Sequence, residues 1–338
     1  MSSSFLPAQY AHPYEIDPKY GKSVAYFCME FAIDNVFKIY SGGLGYLAGS
    51  HMRSAGALRQ NLVGVGILWS YGYYNQIRAE DGSMAVQYRR KEYSFLEDHN
   101  IKFLIHICNS PVWVKALYLR PETFGTAPMF FLTTDLPEND DISRSITQRL
   151  YDSNPMTRIS QYIVLGQGGA RLFEELGVEP EIYHMNEAHA IGAAFNMLAR
   201  NGGNVEEVRK RFVFTTHTPE EAGNEKMDIN LMNNFSFFDG LSLEQFTAIA
   251  TAFYFCYEPI KHLGMVANQC QILVEAVKGL NAILHAKDET PEPEVPAVMP
   301  EKVDGRVEFD HVSFGYTKEK RVLKDISVTV PAGQVVAL

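Results

Sequence analysis

The sequence predicts an α/β fold with a parallel sheet at its centre. Two short apolar runs, Val24–Phe31 and Leu62–Leu68, have polar flanks and suit buried strands. Between them lies Ser41-Gly42-Gly43-Leu44-Gly45. It leads into Tyr46–Leu58, where Leu47, Ala48, Met52, Ala55 and Leu58 fall at helical spacing. A third run, Phe212 to Thr215, leads into Thr216-His217-Thr218-Pro219. That places His217 at a strand's C-terminal end, the edge where ligands bind in open α/β sheets.

The glycine turn is the candidate site nearest the N-terminus. Glycines at 42, 43 and 45 remove the Cβ atoms that keep a ligand off the backbone. A turn that feeds a helix N-terminus offers unpaired N–H groups and a positive dipole end, and phosphate is the usual guest. The spacing matches neither the dinucleotide fingerprint nor the P-loop, and most such turns bind nothing. Glu30, inside the first apolar run, needs a partner if buried, either as a structural ion pair or as a site carboxylate.

Bulk properties remove several function classes. The chain has 338 residues and a net charge of −10, which argues against a basic nucleic-acid-binding face. Cys28, Cys108, Cys256 and Cys270 are scattered without a C-x-x-C pair, as expected of free thiols in a reducing cytoplasm. His184, Glu187 and His189 invite a metal reading. Their H-x-x-E-x-H spacing across a strand-to-helix turn does not aim both rings at one ion, so no metal is expected. The N-terminus lacks a signal peptide's basic and apolar regions, and no stretch is long and apolar enough to span a bilayer.

The remaining elements follow in order. Asp81-Gly82 predicts a hairpin turn between Tyr73–Ala79 and Met84–Tyr88. Lys102–Ile107, Val112–Leu119 and Met129–Leu132 read as strands. Asp141–Tyr151 and Pro155–Leu176 carry helical periodicity, with Arg158, Gln161 and Leu165 on one face. That face is read equally as solvated or as part of a site. An apolar helix is expected after His189, to Leu198.

Several of these phrases, in this order, resemble the N-terminal domain of the α-glucan (glycogen, starch or maltodextrin) phosphorylases. They are the strand ending Met29-Glu30-Phe31, then Tyr40-Ser41-Gly42-Gly43-Leu44-Gly45, then Val63-Gly64-Val65-Gly66, then Gly72-Tyr73-Tyr74-Asn75-Gln76. His184-Met185-Asn186-Glu187-Ala188-His189 and Thr216-His217-Thr218-Pro219 complete the set. Ser50, Trp69-Ser70, Glu220 and Glu221 depart from the family pattern. The resemblance implies a Rossmann-like N-terminal lobe of a two-lobe glycosyltransferase of the GT-B type. It implies phosphorolysis of α-1,4-glucan to glucose 1-phosphate, with pyridoxal phosphate acting through its phosphate group. Gly42, Gly43 and Leu44 would contact sugar and phosphate, His217 would hold the transferred sugar, and Asn186 and His189 would line the cleft. α-Glucan and phosphate are the expected partners. The family's cofactor lysine lies in the second lobe, so the chain is expected to be inactive alone and poorly soluble, its lobe-facing apolar surface being exposed.

The pattern changes near Gly240. Phe246–Tyr257 is an apolar run shorter than a membrane span, and an amphipathic stretch continues to Leu284. Together they resemble the end of the last transmembrane helix of an ABC exporter. Gly305–Tyr316, Val322–Ser327 and Gly333–Leu338 resemble the opening hairpins of its nucleotide-binding domain, with Tyr316 at the aromatic that stacks adenine. The expected divisions are 1–240 for the phosphorylase-like lobe, 241–287 for a helical segment, 288–304 for a Pro/Glu-rich linker and 305–338 for a short β-rich fragment. Three readings stand: half of an enzyme in the cytoplasm; an exporter fragment binding ATP and associated with a membrane through 241–270; or a fusion without function.

Overall fold

The structure is a computed structural model that describes residues 4–217, 225–238, 241, 265–266, 268–286, 295–317 and 320–337. The chain divides into two units, Met1–Cys270 and Gln271–Leu338.

The first unit is built on a seven-stranded mixed sheet. In chain order its strands are β1 (Val24–Phe27) and β2 (Leu62–Ile67), then β5 (Glu97–Ile107), β6 (Ser110–Leu119), β7 (Met129–Thr133), β8 (Ile182–Asn186) and β9 (Phe212–Thr215). A separate hairpin pairs β3 (Asn75–Arg78) with β4 (Met84–Gln87). The sheet order is β5-β6-β7-β2-β1-β8-β9. Strands β7, β2, β1, β8 and β9 run parallel, and β6 and β5 add antiparallel strands at one edge. Every residue of β2 and β7 is buried, as expected of strands covered on both faces. At the other edge β9 leaves Val213 42% and Phe214 47% exposed.

Helices cover the two faces. Helix α1 (Gly43–Ala57) packs where β2 is thinnest: a Cβ on Gly64 would meet the α1 side chain of Met52 at 2.9 Å. One residue on, Val65 points to the opposite face. There it meets Gly169, just past the π-turn (Val164–Gly168) of a helix that runs from Pro155 to Glu175. The π-turn is local to Gly166, where a Cβ would fall 2.9 Å from the backbone nitrogen of Ala193. Helix α6 (Gly192–Arg200) crosses there. Glycine thus allows close helix contact, and the wider turn absorbs it.

Two expected elements change. Helix α1 begins at Gly43 rather than Tyr46, so the glycines form its first turn. The helix expected over Asp141–Tyr151 ends at Ser145. The Oγ1 of Thr147 accepts from the Thr134 N–H at 3.0 Å and Tyr151 takes φ 55°, so tertiary bonds override the helical periodicity. Phe237, Phe238 and Leu241 are buried and join the core of this unit.

The second unit holds helical residues 271–284, continuing from 268, and an antiparallel hairpin of β10 (Val307–Phe314) and β11 (Leu323–Val330). Among the described residues no helix is long and apolar enough to cross a membrane. The apolar run Phe246–Tyr257 lies outside the described residues.

Candidate functional site

Parallel strands β1, β8 and β9 end at one edge of the sheet, and the first turn of α1 begins there. A cavity of about 790 Å³ opens at this edge. Gly43, Leu44 and Leu47 line it from α1, Glu187, Ala188, His189 and Ile191 from the turn after β8, and His217 from the end of β9. Tyr151, Tyr162, Glu225, Met227, Met232 and Phe237 complete the wall.

Glu30 organises the glycine turn. Its carboxylate is buried, and Oε2 accepts from the N–H groups of Ser41 at 2.6 Å and Gly42 at 3.1 Å. Its Oε1 accepts from the Tyr151 hydroxyl at 2.7 Å. Burial, then the Glu30 charge, raises the Tyr151 pKa, so the phenol stays protonated and donates. Two of the donors expected to meet a ligand therefore already hold a carboxylate. The next two, the N–H groups of Gly43 and Leu44, have no acceptor within the helix and belong to cavity-lining residues. The glycines divide accordingly. A Cβ on Gly45 would strike Glu30 and one on Gly49 would lie 2.2 Å from the Ala32 carbonyl oxygen, whereas Gly42 and Gly43 have nothing within 4 Å.

The segment after β8 is strained. Glu187 has φ 62° and ψ 178°, a conformation costly for a residue with a side chain. Its N–H donates to the Thr215 carbonyl, and its Oε1 accepts from the His217 N–H at 2.6 Å. The strained turn thereby fixes the end of β9. The His217 Nε2 lies 2.7 Å from Asn186 Oδ1, and Asn186 donates in turn to the Cys28 sulfur at 3.3 Å. Burial pushes the Cys28 thiol up to about 12, so it remains a weak acceptor.

The structure brings Gly43, Leu44, His189 and His217 onto one cavity. Asn186 stands behind it, buried and holding the His217 ring, and Gly42 is occupied by Glu30. His189 packs between Tyr151 and Tyr162, with ring centroids 6.1 and 5.1 Å away. Its Nδ1 is shielded from solvent and has no hydrogen-bond partner among the described residues. Burial, then the Arg158 charge, lowers its pKa to about 4, so at neutral pH the ring is uncharged. His184 donates to or accepts from the Thr215 hydroxyl at 2.7 Å and packs on Tyr26. On the helical face, Gln161 donates to the carbonyls of Ile146 and Arg149 and Leu165 is buried. Arg158 stacks on Tyr151 and pairs with Glu225 at 3.2 Å.

Glu187 was weighed from sequence only as a metal ligand, and Tyr151, Tyr162 and Glu225 were given no individual role; Tyr162 follows Gln161 directly. Among the described residues no cluster of three or more His, Cys, Asp or Glu side chains forms a metal site. Tyr316 lies on the second unit, 85% exposed, its ring edge-on to Phe314 at 5.2 Å.

The N-terminal two thirds of the chain matches glycogen and maltodextrin phosphorylases. Maltodextrin phosphorylase of Thermococcus litoralis is 35% identical over 243 residues, covering 68% of this chain and 29% of that protein. Glycogen phosphorylase of Mycobacterium tuberculosis is 33% identical over 236 residues, covering 63% of this chain and 27% of that protein. An uncharacterized protein of Methanocaldococcus jannaschii is 52% identical over 223 residues, covering 66% of this chain and 42% of that protein. The chain thus spans less than half the length of these relatives. A segment of 101 residues, 30% of the chain, is 39% identical to an ATP-dependent lipid A-core flippase of Haemophilus influenzae and covers 17% of it. No family model matches the chain.

Proposed function

We propose that residues 1–240 form the Rossmann-like N-terminal lobe of an α-glucan phosphorylase of the GT-B type, and that the cavity holds the glucosyl unit being transferred. The carrying observation is the convergence of His217, His189, Glu187 and the first-turn N–H groups of Gly43 and Leu44 on one cavity at the strand ends. With Nε2 held by Asn186 Oδ1, the other ring nitrogen of His217 is left for a sugar hydroxyl. The N–H groups of Gly43 and Leu44 donate to sugar or phosphate oxygens. Dipoles fixed in this way stabilise a charged glycosyl transition state.

Phosphate and cofactor need groups that this cavity does not supply. Among the described residues its lining contains neither lysine nor arginine, and the Glu30 carboxylate stands beside the glycine turn. Pyridoxal phosphate would supply a proton-relaying phosphate in the family's chemistry, but no lysine among the described lining residues would hold it. The chain's own residues therefore bind and orient the sugar. Calorimetric titration with maltotriose tests this: His217→Ala should weaken binding about tenfold, the loss of one hydrogen bond. Equal affinity in the variant would refute the assignment of His217. Phosphate-dependent release of glucose 1-phosphate by this chain alone would refute its dependence on groups from elsewhere.

The similarity to an ATP-dependent flippase favours a second reading for residues 241–338, as a piece of an ABC exporter. In that reading 241–287 ends the membrane domain, 288–304 is a linker, and 305–338 opens the nucleotide-binding domain, with Tyr316 stacking adenine. Membrane association that survives a salt wash tests it.

A further inference from the structure

The cavity has two chemically different walls. The polar wall is the one already described. The other is made by Ile191, Met227, Met232 and Phe237, continued on α1 by Leu44 and Leu47. Ile191, Met227, Met232 and Leu44 are half-buried and pack on the core, so each turns part of its apolar surface to the cavity. Phe237 is fixed from behind. The Gln167 side-chain amide donates to the carbonyls of Ser236 and Phe237 at 3.0 Å, and the Cys108 N–H donates to the Phe235 carbonyl at 3.3 Å. Phe195 and Phe238 meet the Phe237 ring at steep angles, with centroids 6.1 and 5.7 Å away.

The hydroxyl groups of a sugar suit only the polar wall of this cavity. Sugar hydroxyls turned to methionine and isoleucine side chains lose water without gaining a partner. An apolar group there loses nothing, and the two methionines adapt to its shape and contact its ring through polarisable sulfur. We propose that this wall is a subsite for an apolar substituent, and that the cavity prefers α-glucosides carrying an aromatic aglycone over simple alkyl glucosides. The inference rests on the sugar-binding reading of the polar wall and extends it to substrate class.

The experiment is a titration of the full chain with phenyl α-D-glucopyranoside and methyl α-D-glucopyranoside. The phenyl glucoside should bind about tenfold tighter, the gain expected from burying roughly one ring face. Met232→Gln should remove that advantage, bringing the ratio of the two affinities toward one. Saturation-transfer NMR on the unaltered chain gives a check that needs no variant: the aryl protons should receive the strongest transfer. Equal affinity for both glucosides, or transfer confined to the sugar protons, would overturn the subsite while leaving the sugar site standing. Failure of both glucosides and of maltotriose to bind would overturn the sugar site and this proposal together.

Discussion

Glu30 shows what a buried carboxylate does when its partners are neutral. Four donors from two distant segments converge on it: the N–H and hydroxyl of Ser41 and the N–H of Gly42 from the turn, and the Tyr151 hydroxyl from across the site. Replacing it with alanine leaves them unpaired in a buried place, and stability should fall by about 3 kcal/mol. Urea denaturation of Glu30→Ala measures this; a loss near zero would mean water replaces the carboxylate. The histidines give a pH dependence. His189 and His184 both have pKa values lowered to about 4, each first by burial. In the unfolded chain they titrate at about 6.5. Between these values the unfolded state holds more protons, so stability rises with pH across that window and is lost as pH falls from about 6.5 to 4. A midpoint of thermal unfolding that stays flat from pH 7 to 4.5 would contradict this burial. Residue roles were only partly legible. The phrase around His184 and His189 marked the right turn, but not that Asn186 would face away from the cavity and hold His217. That depends on strand register, which one sequence does not display.

At the scale of elements the glycine turn separates two uses of one residue type. Gly49 lets α1 approach the Ala32 carbonyl, whereas Gly43 meets no protein atom. Gly49→Ala should therefore cost about 2 kcal/mol through overpacking. Gly43→Ala should leave stability unchanged and weaken maltotriose binding, because its Cβ enters the cavity. Denaturation and titration of the pair check this, and equal destabilisation by both would deny Gly43 a role at the site. The parallel strands were readable as short apolar runs, because burial on both faces leaves that signature in β2 and β7. The end of α3 (Asp141–Ser145) was not readable. Helical spacing continues past Ser145, and what stops the helix is a threonine bond to β7 and the loop after it, distant in sequence. The start of α1 was misplaced for a related reason: glycines read as turn, although Glu30 satisfies the donors just ahead of the helix.

For the whole molecule, the compositional change near Gly240 falls close to the last buried residues among those described in the first unit. Phe237, Phe238 and Leu241 complete its core. A chain ending at Leu241 should unfold cooperatively at the same urea concentration as the full chain, whereas one ending at Asn234 should lose several kcal/mol with its two buried phenylalanines. A lower midpoint for the longer truncation would show that later residues also support the lobe.

The exposed flank of β9 has a consequence beyond ligand binding. Val213 and Phe214 stand on an outermost strand with no neighbour on one side among the described residues. Such a rim is a template on which another extended chain can be laid. Concentrated samples should thicken with time into assemblies that bind amyloid dyes, and a lysine at Val213 should slow that ageing without disturbing the cavity. The same rim that brings His217 to the ligand sets the shelf life of the preparation.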